Sequence, residues 1–556
     1  MRIRVALLGA LLVAGPAEAG IFTVSPPSAA DMNFRNCDGY FAPGGKADGL
    51  TIGTWLFGAA TTTVDERRGK TALGAAGLAA CDAALADPRL SPNFVTRRGH
   101  LIQARAIHQI ASGKFDEALA SLGASDAAGR GEPFFDLSVG QGNRALRAIA
   151  LSGLGKPAEA EAALAELERR RPYATSMRQL ALRARLQFVD DRVAQEQAIG
   201  QLAGQMPALN HQLFWQSMMY EDFDAAVARA PTVSFDDPKD RAGWKGDTDA
   251  IEKYTDIIER SSFAGALAYA QFASGSIAAS KATLDTAEQR AAASMAPPPP
   301  PEQGQRLSKR VVRDHDMRKL AGNAALSRLK MWRANIAMRA QAPQMTMAQI
   351  METAKAEKTR LPMVRDILAL SKAPELNDSA AVTTMLKELA TIRDAERLKG
   401  IRMTFDQLVA LLPRPEVAAT QIRFRSEGGI LGNALEGYAV RKNVPAGAAT
   451  VRYGTEKGTL ALADEAALLA AAQFARAQGK DAFVVDAREP IQRTIQFVGG
   501  YSGGQTSNSG YEVRLVVRPV DMGSSSPSDR VRLIRVADVS GALEPKLMPA
   551  TAVAGN

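Results

Sequence analysis

Two cysteines and four histidines are all that this chain of 556 residues offers a soft metal or a redox centre. Cys37 and Cys81 have no histidine close by, so no local spacing completes a tetrahedral ligand set. His100 and His108 stand two turns apart on one expected helix, about 12 Å along its axis, too far to share an ion. His211 and His315 are isolated, and neither a metal site nor a cofactor is expected. Apolar runs are short as well. Val5 to Val13 and Gly49 to Val64 both fall below the roughly 20 residues that span a bilayer. Complete catalytic strings are lacking. Gly500-Tyr501-Ser502-Gly503-Gly504 fits the nucleophile-elbow spacing, yet no helix is expected after it and the last histidine is His315, upstream of the serine. It reads as a glycine-rich hairpin loop, with a serine hydrolase built on Ser502 as the rival. Arg68-Gly69-Lys70-Thr71 ends like a phosphate-binding loop, but Val64 occupies the place of the first glycine.

What is present begins with a leader. Arg2 and Arg4 precede the Val5–Val13 run, and Ala17-Glu18-Ala19 carries small residues where signal peptidase reads, so cleavage is expected before Gly20. Residues 1–19 form the signal peptide and the mature chain is expected to be exported and soluble, in the periplasm or an equivalent compartment. An oxidising compartment favours pairing of Cys37 with Cys81. Such a bridge would stabilise the fold by roughly 4 kcal/mol on the chain-entropy account. Two buried free thiols are the alternative. Loss of the leader takes the formal charge from +9 to +8.

Residues 20–90 read as an irregular cap followed by a first helix that ends at Asp87-Pro88. Asn93 to Ser112 reads as a second helix with Leu101, Ile102, Ala106 and Ile110 on one face. Gly113 stops it, and Phe115-Asp116-Glu117-Ala118 starts another. The same order returns at Leu151, Gly155 and Ala160, again at Phe223-Asp224-Ala225-Ala226, and a fourth time around Ala268, Gly275 and Leu284. Each helix pair leaves an apolar face that a neighbour must cover.

Residues 141–172 resemble a tetratricopeptide repeat: Ala148, Leu151, Ala160, Leu164 and Pro172 fall on the small and closing positions of that family. Ala106, Gly113, Ala118 and Leu122 form a preceding unit. The resemblance covers about 90–290 and implies an α-solenoid with a surface for peptides or partner proteins. Arg144 and Arg147 stand where the family usually has Trp and Leu, so they are expected to face a binding groove.

Residues 91–295 therefore form the repeats, 296–304 a stiff proline-rich linker, and 305–416 a basic helical region. From Arg306 to Arg339 ten basic residues oppose two acidic ones, a local balance of +8. Arg306, Lys309, Arg310 and Arg313 cluster at its start and suit an anionic lipid, a wall polymer or an acidic protein. A solvated face neutralised by acids on adjacent helices is the rival. Nucleic acid fits this charge but not an export signal. Residues 417–545 read as a small α+β domain of order βαβββ, and 546–556 as a flexible tail. The C-terminal pattern loosely resembles small envelope proteins of Gram-negative bacteria. The expected protein is thus mostly α, an irregular tetratricopeptide-like solenoid with a small α+β domain. Its expected role is a non-enzymatic scaffold that binds a protein or peptide in the bacterial envelope.

Overall fold

The computed structural model describes residues 28–44, 47–50, 52–53, 60–61, 73–233, 235, 248–298, 300, 306–356, 361–371, 380–417, 420–422, 424–426, 436–442, 447–456, 458–497, 505–530 and 532–548. The leader, most of Gly49–Val64, Ser502 and residues 549–556 lie outside them.

The cap is more regular than its sequence suggests. Helix α1 (Ala29–Asp38) starts at Ser28, whose hydroxyl accepts from the Asp31 N–H while the Asp31 carboxylate accepts from the Ser28 N–H. It ends on left-handed Gly39. Two-residue strands β1 (Ile52–Gly53) and β2 (Ala60–Thr61) pair antiparallel, and α2 (Ala75–Leu85) packs on α1. The pattern of this first helix runs in the sequence from Asp65, but its described part begins at Ala75, and residues 62–72 fall outside the described residues.

Helical hairpins follow. α3 (Val95–Ala111) pairs with α4 (Phe115–Ala128), and α5 (Val139–Gly153) with α6 (Pro157–Arg170). α7 (Thr175–Arg185) and α8 (Arg192–Ala203) lead to a third hairpin, α9 (Ala208–Met219) with α10 (Phe223–Arg229). The fourth is α11 (Thr248–Ala273) with α12 (Ile277–Ser294).

One turn closes all four. The second residue after the cap donates its N–H to the carbonyl five residues back: Lys114 to Gln109, Lys156 to Leu151, Asp222 to Ser217 and Ser276 to Gln271, at 2.7–2.9 Å. The residue before each donor sits in the left-handed region, at Gly113 (φ 72°), Gly155 (72°), Glu221 (60°) and Gly275 (83°). This is the Schellman geometry, which satisfies the last carbonyls of a helix and reverses the chain. Glu221 is the one described non-glycine residue with a positive φ.

α13 (Lys309–Gln341) lies across α11 and α12, close enough that a Cβ on Gly265 would fall 2.0 Å from the Trp332 ring. α14 (Met347–Ala356), α15 (Leu361–Leu370), α16 (Ala380–Ile401) and α17 (Phe405–Ala410) complete the helical part.

The C-terminal part corrects the expected order βαβββ to ββαββαβα. Strands β3 (Gly437–Lys442) and β4 (Ala449–Thr455) precede helix α18 (Leu460–Ala477), and β5 (Ala482–Phe497) and β6 (Gln505–Val520) follow it. The short α19 (Pro527–Arg530), β7 (Ile534–Arg535) and α20 (Val536–Leu547) close the chain. The sheet is antiparallel throughout, in order β3-β4-β6-β5-β7. The Ala482–Asp486 stretch and the alternating residues from Arg493, which the sequence suggests as two strands, are one long strand, because Glu489-Pro490 does not break it. Pro490 lies beyond the two residues that pair with β7, where β5 is an edge strand, a place that tolerates a missing N–H. α20 continues to Leu547, two residues into the expected tail, and buries Val539, Leu543 and Leu547 beside α18.

Candidate functional site

Cys37 and Cys81 form a disulfide that ties α1 to α2, with Cα atoms 4.6 Å apart. The buried thiol alternative is thereby excluded in this structure. A sealed polar cluster sits next to the bridge. Asp38, at the end of α1, pairs with Arg97, and its carboxylate lies 2.8 Å from His100 Nδ1. Burial pushes this carboxyl upward, but the Arg97 guanidinium and His100 more than offset it and hold it well below the usual range. His108 Nε2 lies 3.0 Å from the Cys37 carbonyl oxygen, and burial pushes its imidazole down. An Asp–His pair can orient a general base when the ring reaches a substrate. The His100 ring is 1% exposed, so this pair joins the cap to α3 and meets no solvent-borne group.

A second buried cluster joins the hairpins to the sheet. Arg171, the residue after α6, makes a bidentate contact with Glu465 of α18 at 2.7 and 3.0 Å. It also donates to Glu416 at 2.6 Å and to the Leu137 carbonyl at 2.7 Å. Lys546 of α20 reaches Glu465 at 2.5 Å, Thr459 donates to Glu416, and the Glu416 N–H donates to Ser138 Oγ. One step away, Asp464 accepts the Ser176 N–H at 2.8 Å and pairs with Arg488 of β5. Burial works against the charged form of Glu465, yet Arg171 and Lys546 keep its carboxyl below the ordinary range. Nothing in the sequence singles out Arg171, because its partners are 245 and 294 residues away.

A third cluster surrounds the turn of the third hairpin. Tyr220 carries Arg393 over its ring at 4.2 Å and Arg192 at 4.5 Å, and its hydroxyl donates to Asp394 at 2.7 Å. Glu221 pairs with Arg365 of α15 at 2.8 Å, and nearby Asp366 accepts from Tyr269 Oη at 2.6 Å and from Arg339 at 2.7 Å. Burial raises the Glu221 carboxyl despite Arg365. A signal for this cluster was present: alignment of the four turns puts a glutamate where the other three have glycine.

The arginines singled out in the second hairpin both hold carboxylates of the preceding segment. Arg144 contacts Asp136 at 2.5 Å and Arg147 contacts Asp126 at 2.6 Å, with 14% and 30% of their side chains exposed. Much of the basic excess of 306–339 is matched locally. Arg333 pairs with Asp285 and Glu288 of α12, Arg339 with Asp366, and Arg318 with Asp314, while Arg328 donates to Ser262 Oγ. Arg306, Lys309 and Arg313 are exposed at the helix start; the Arg310 side chain lies outside the described set. The structure does not bring this group together with Arg144 or Arg147.

Among the described residues no cluster of His, Cys, Asp or Glu could hold a metal ion, and no helix is long and apolar enough to cross a membrane. No protein-family profile, curated protein or solved structure matches the chain.

Proposed function

We propose that the chain is an exported, non-enzymatic helical-repeat scaffold that holds a protein or peptide partner in the bacterial envelope. The observation that carries this reading is the fourfold recurrence of one hairpin turn, at Gly113, Gly155, Glu221 and Gly275. Repeated hairpins of this kind build tetratricopeptide-like solenoids, whose extended faces bind other chains. The Cys37–Cys81 bridge and the leader-like start support an oxidising compartment outside the cytoplasm. On this reading Arg144 and Arg147 contact an acidic segment of the partner, which competes with Asp136 and Asp126 for the two guanidinium groups.

The test places a photo-crosslinking residue at Ala163, half-buried on α6, in the intact chain within a Gram-negative host. One specific crosslinked partner is expected, and its yield should fall at least tenfold in Arg144→Glu plus Arg147→Glu. Absence of any crosslink, together with fluorophosphonate labelling that Ser502→Ala abolishes, would replace the scaffold with the hydrolase.

A second reading has its own observation. Leu307, Val311, Val312 and Leu320 are all exposed, Leu320 at 64%, among the basic residues that begin α13. Apolar and cationic groups exposed together suit an anionic lipid or wall-polymer surface. Vesicle binding should weaken with salt and with Arg306→Glu plus Lys309→Glu; indifference to both would remove this role.

A further inference from the structure

The fourth hairpin holds an open cleft of about 510 Å³ between α11 and α12, within the size range of small-molecule sites. Both walls come from helical stripes. On α11 the residues Ile257, Ser261, Ala264 and Leu267 recur at spacings of three or four, and on α12 so do Thr283, Thr286, Ala287, Arg290 and Ala291. Small side chains leave room on this face: Ala264, Ala287 and Ala291 line the cleft, while the two helices pack against each other beside it through Tyr269 and Leu284. No described residue of α13 lines it, and Trp332 packs instead against Gly265.

The walls are chemically divided. Phe263 is half-buried and lies 5.2 Å, ring to ring, from Phe235, which also lines the cleft. With Ile257, Leu267 and Val233 they give an apolar interior. The buried floor, Ser261, Ala287 and Ala291, is free of charge. Cationic groups stand at two places. Arg260 lies over the Phe235 ring at 5.1 Å and its charge is met by Asp256 at 2.8 Å. Arg290 lines the exposed side with Thr286, and no ion pair to it is found among the described residues.

We infer that this cleft binds an amphiphile made of one acyl chain with a single anionic head, the chain lying against Phe263, Leu267 and Ile257 and the head meeting Arg290 and the Thr286 hydroxyl. A neutral chain would bury the same apolar area but leave Arg290 unmatched. A short dianion would match charge but leave the apolar walls wet. This site is separate from the partner-binding reading above and stands on different residues.

Dodecanoate is the probe, titrated calorimetrically into the intact chain beside dodecan-1-ol. One saturable site per chain is expected, with the alcohol at least tenfold weaker. Arg290→Glu should weaken dodecanoate tenfold or more while leaving the alcohol unchanged, and Arg290→Lys should restore most of the affinity. Arg290 is exposed, so these variants test the head without disturbing the core. Ala264→Phe should block both ligands by filling the cleft, with its melting curve checked against the parent. Non-saturable uptake, equal affinity for acid and alcohol, or an Arg290→Glu variant that binds dodecanoate as before would each overturn the inference.

Discussion

Glu221 shows what a single position costs and what can hold it there. A side chain in the left-handed region is strained by about 1–2 kcal/mol, which is why the three equivalent turns use glycine. At Gly155 a Cβ would meet nothing within 4 Å, so Gly155→Ala isolates the backbone strain and should lower the unfolding free energy by about 1 kcal/mol in urea titration. At Glu221 the strain is offset by Arg365, and Glu221→Gly should be nearly neutral. If both substitutions cost the same, the turn-strain account fails. Arg171 is the opposite case. Its guanidinium is fully buried between two carboxylates, and Arg171→Ala strands them, so a loss of about 3–5 kcal/mol is expected. This loss should depend on pH. Arg171 and Lys546 hold Glu465 below its unfolded value of about 4.3, so Glu465 contributes stability that is complete above that value and declines as pH falls. Without Arg171 much of that depression is lost. The gap between parent and variant in urea should therefore hold steady down to about pH 4.3 and narrow below it, and a gap that stays constant on further acidification would remove Glu465 from the explanation.

At the scale of elements, the cap rests on its covalent tie. Cys37→Ala plus Cys81→Ala should cost about 2–5 kcal/mol, read from urea midpoints with and without reductant. A parent whose midpoint ignores reductant, with both thiols then reactive, would show that the cap is held by Asp38, Arg97 and His100 alone. The helices of the hairpins were legible because apolar residues recur at three and four and because Gly113, Gly155 and Gly275 punctuate them. The pairing of Cys37 with Cys81 followed from number and compartment. Other elements were hidden for local reasons. α1 opens with Ser28 and Asp31, a legible capping pair, but it is short and sits between Pro26-Pro27 and Gly44-Gly45, so the stretch reads as irregular. β5 carries Pro490, which reads as a break and is tolerated at an edge. α20 carries Gly541 and Pro545, which hide a helix at the end of the expected α+β domain, and it packs on the α18 surface. Long-range chemistry left no trace at all: neither Arg171 with Glu465 nor the α11–α12 cleft has a sequence spacing that announces it.

Over the whole molecule, the first two hairpins and α7 meet the C-terminal domain along a buried seam. Ala461 of α18 belongs to the same buried cluster as Ala174, Met177 and Ala181 of the α7 region, and Val409 and Leu412 lie between. The Arg171 network crosses the same surface, with charges that cannot be left buried without partners. A fragment ending at residue 416 would keep Glu416 but lose Glu465, Asp464 and Lys546. Its exposed face would carry Met177, Ala181 and a guanidinium whose best acceptor is gone. Such a fragment should melt well below the intact chain, bind a hydrophobic dye, and be cut by protease first between α5 and α7. A fragment that melts at the parent temperature and resists protease would show instead that the hairpins hold their own fold. Any partner tested on isolated repeats would then be meeting the native surface. The predicted outcome requires the opposite practice, with binding measured on the intact chain, because the sheet sets the position of the hairpins that the partner would contact.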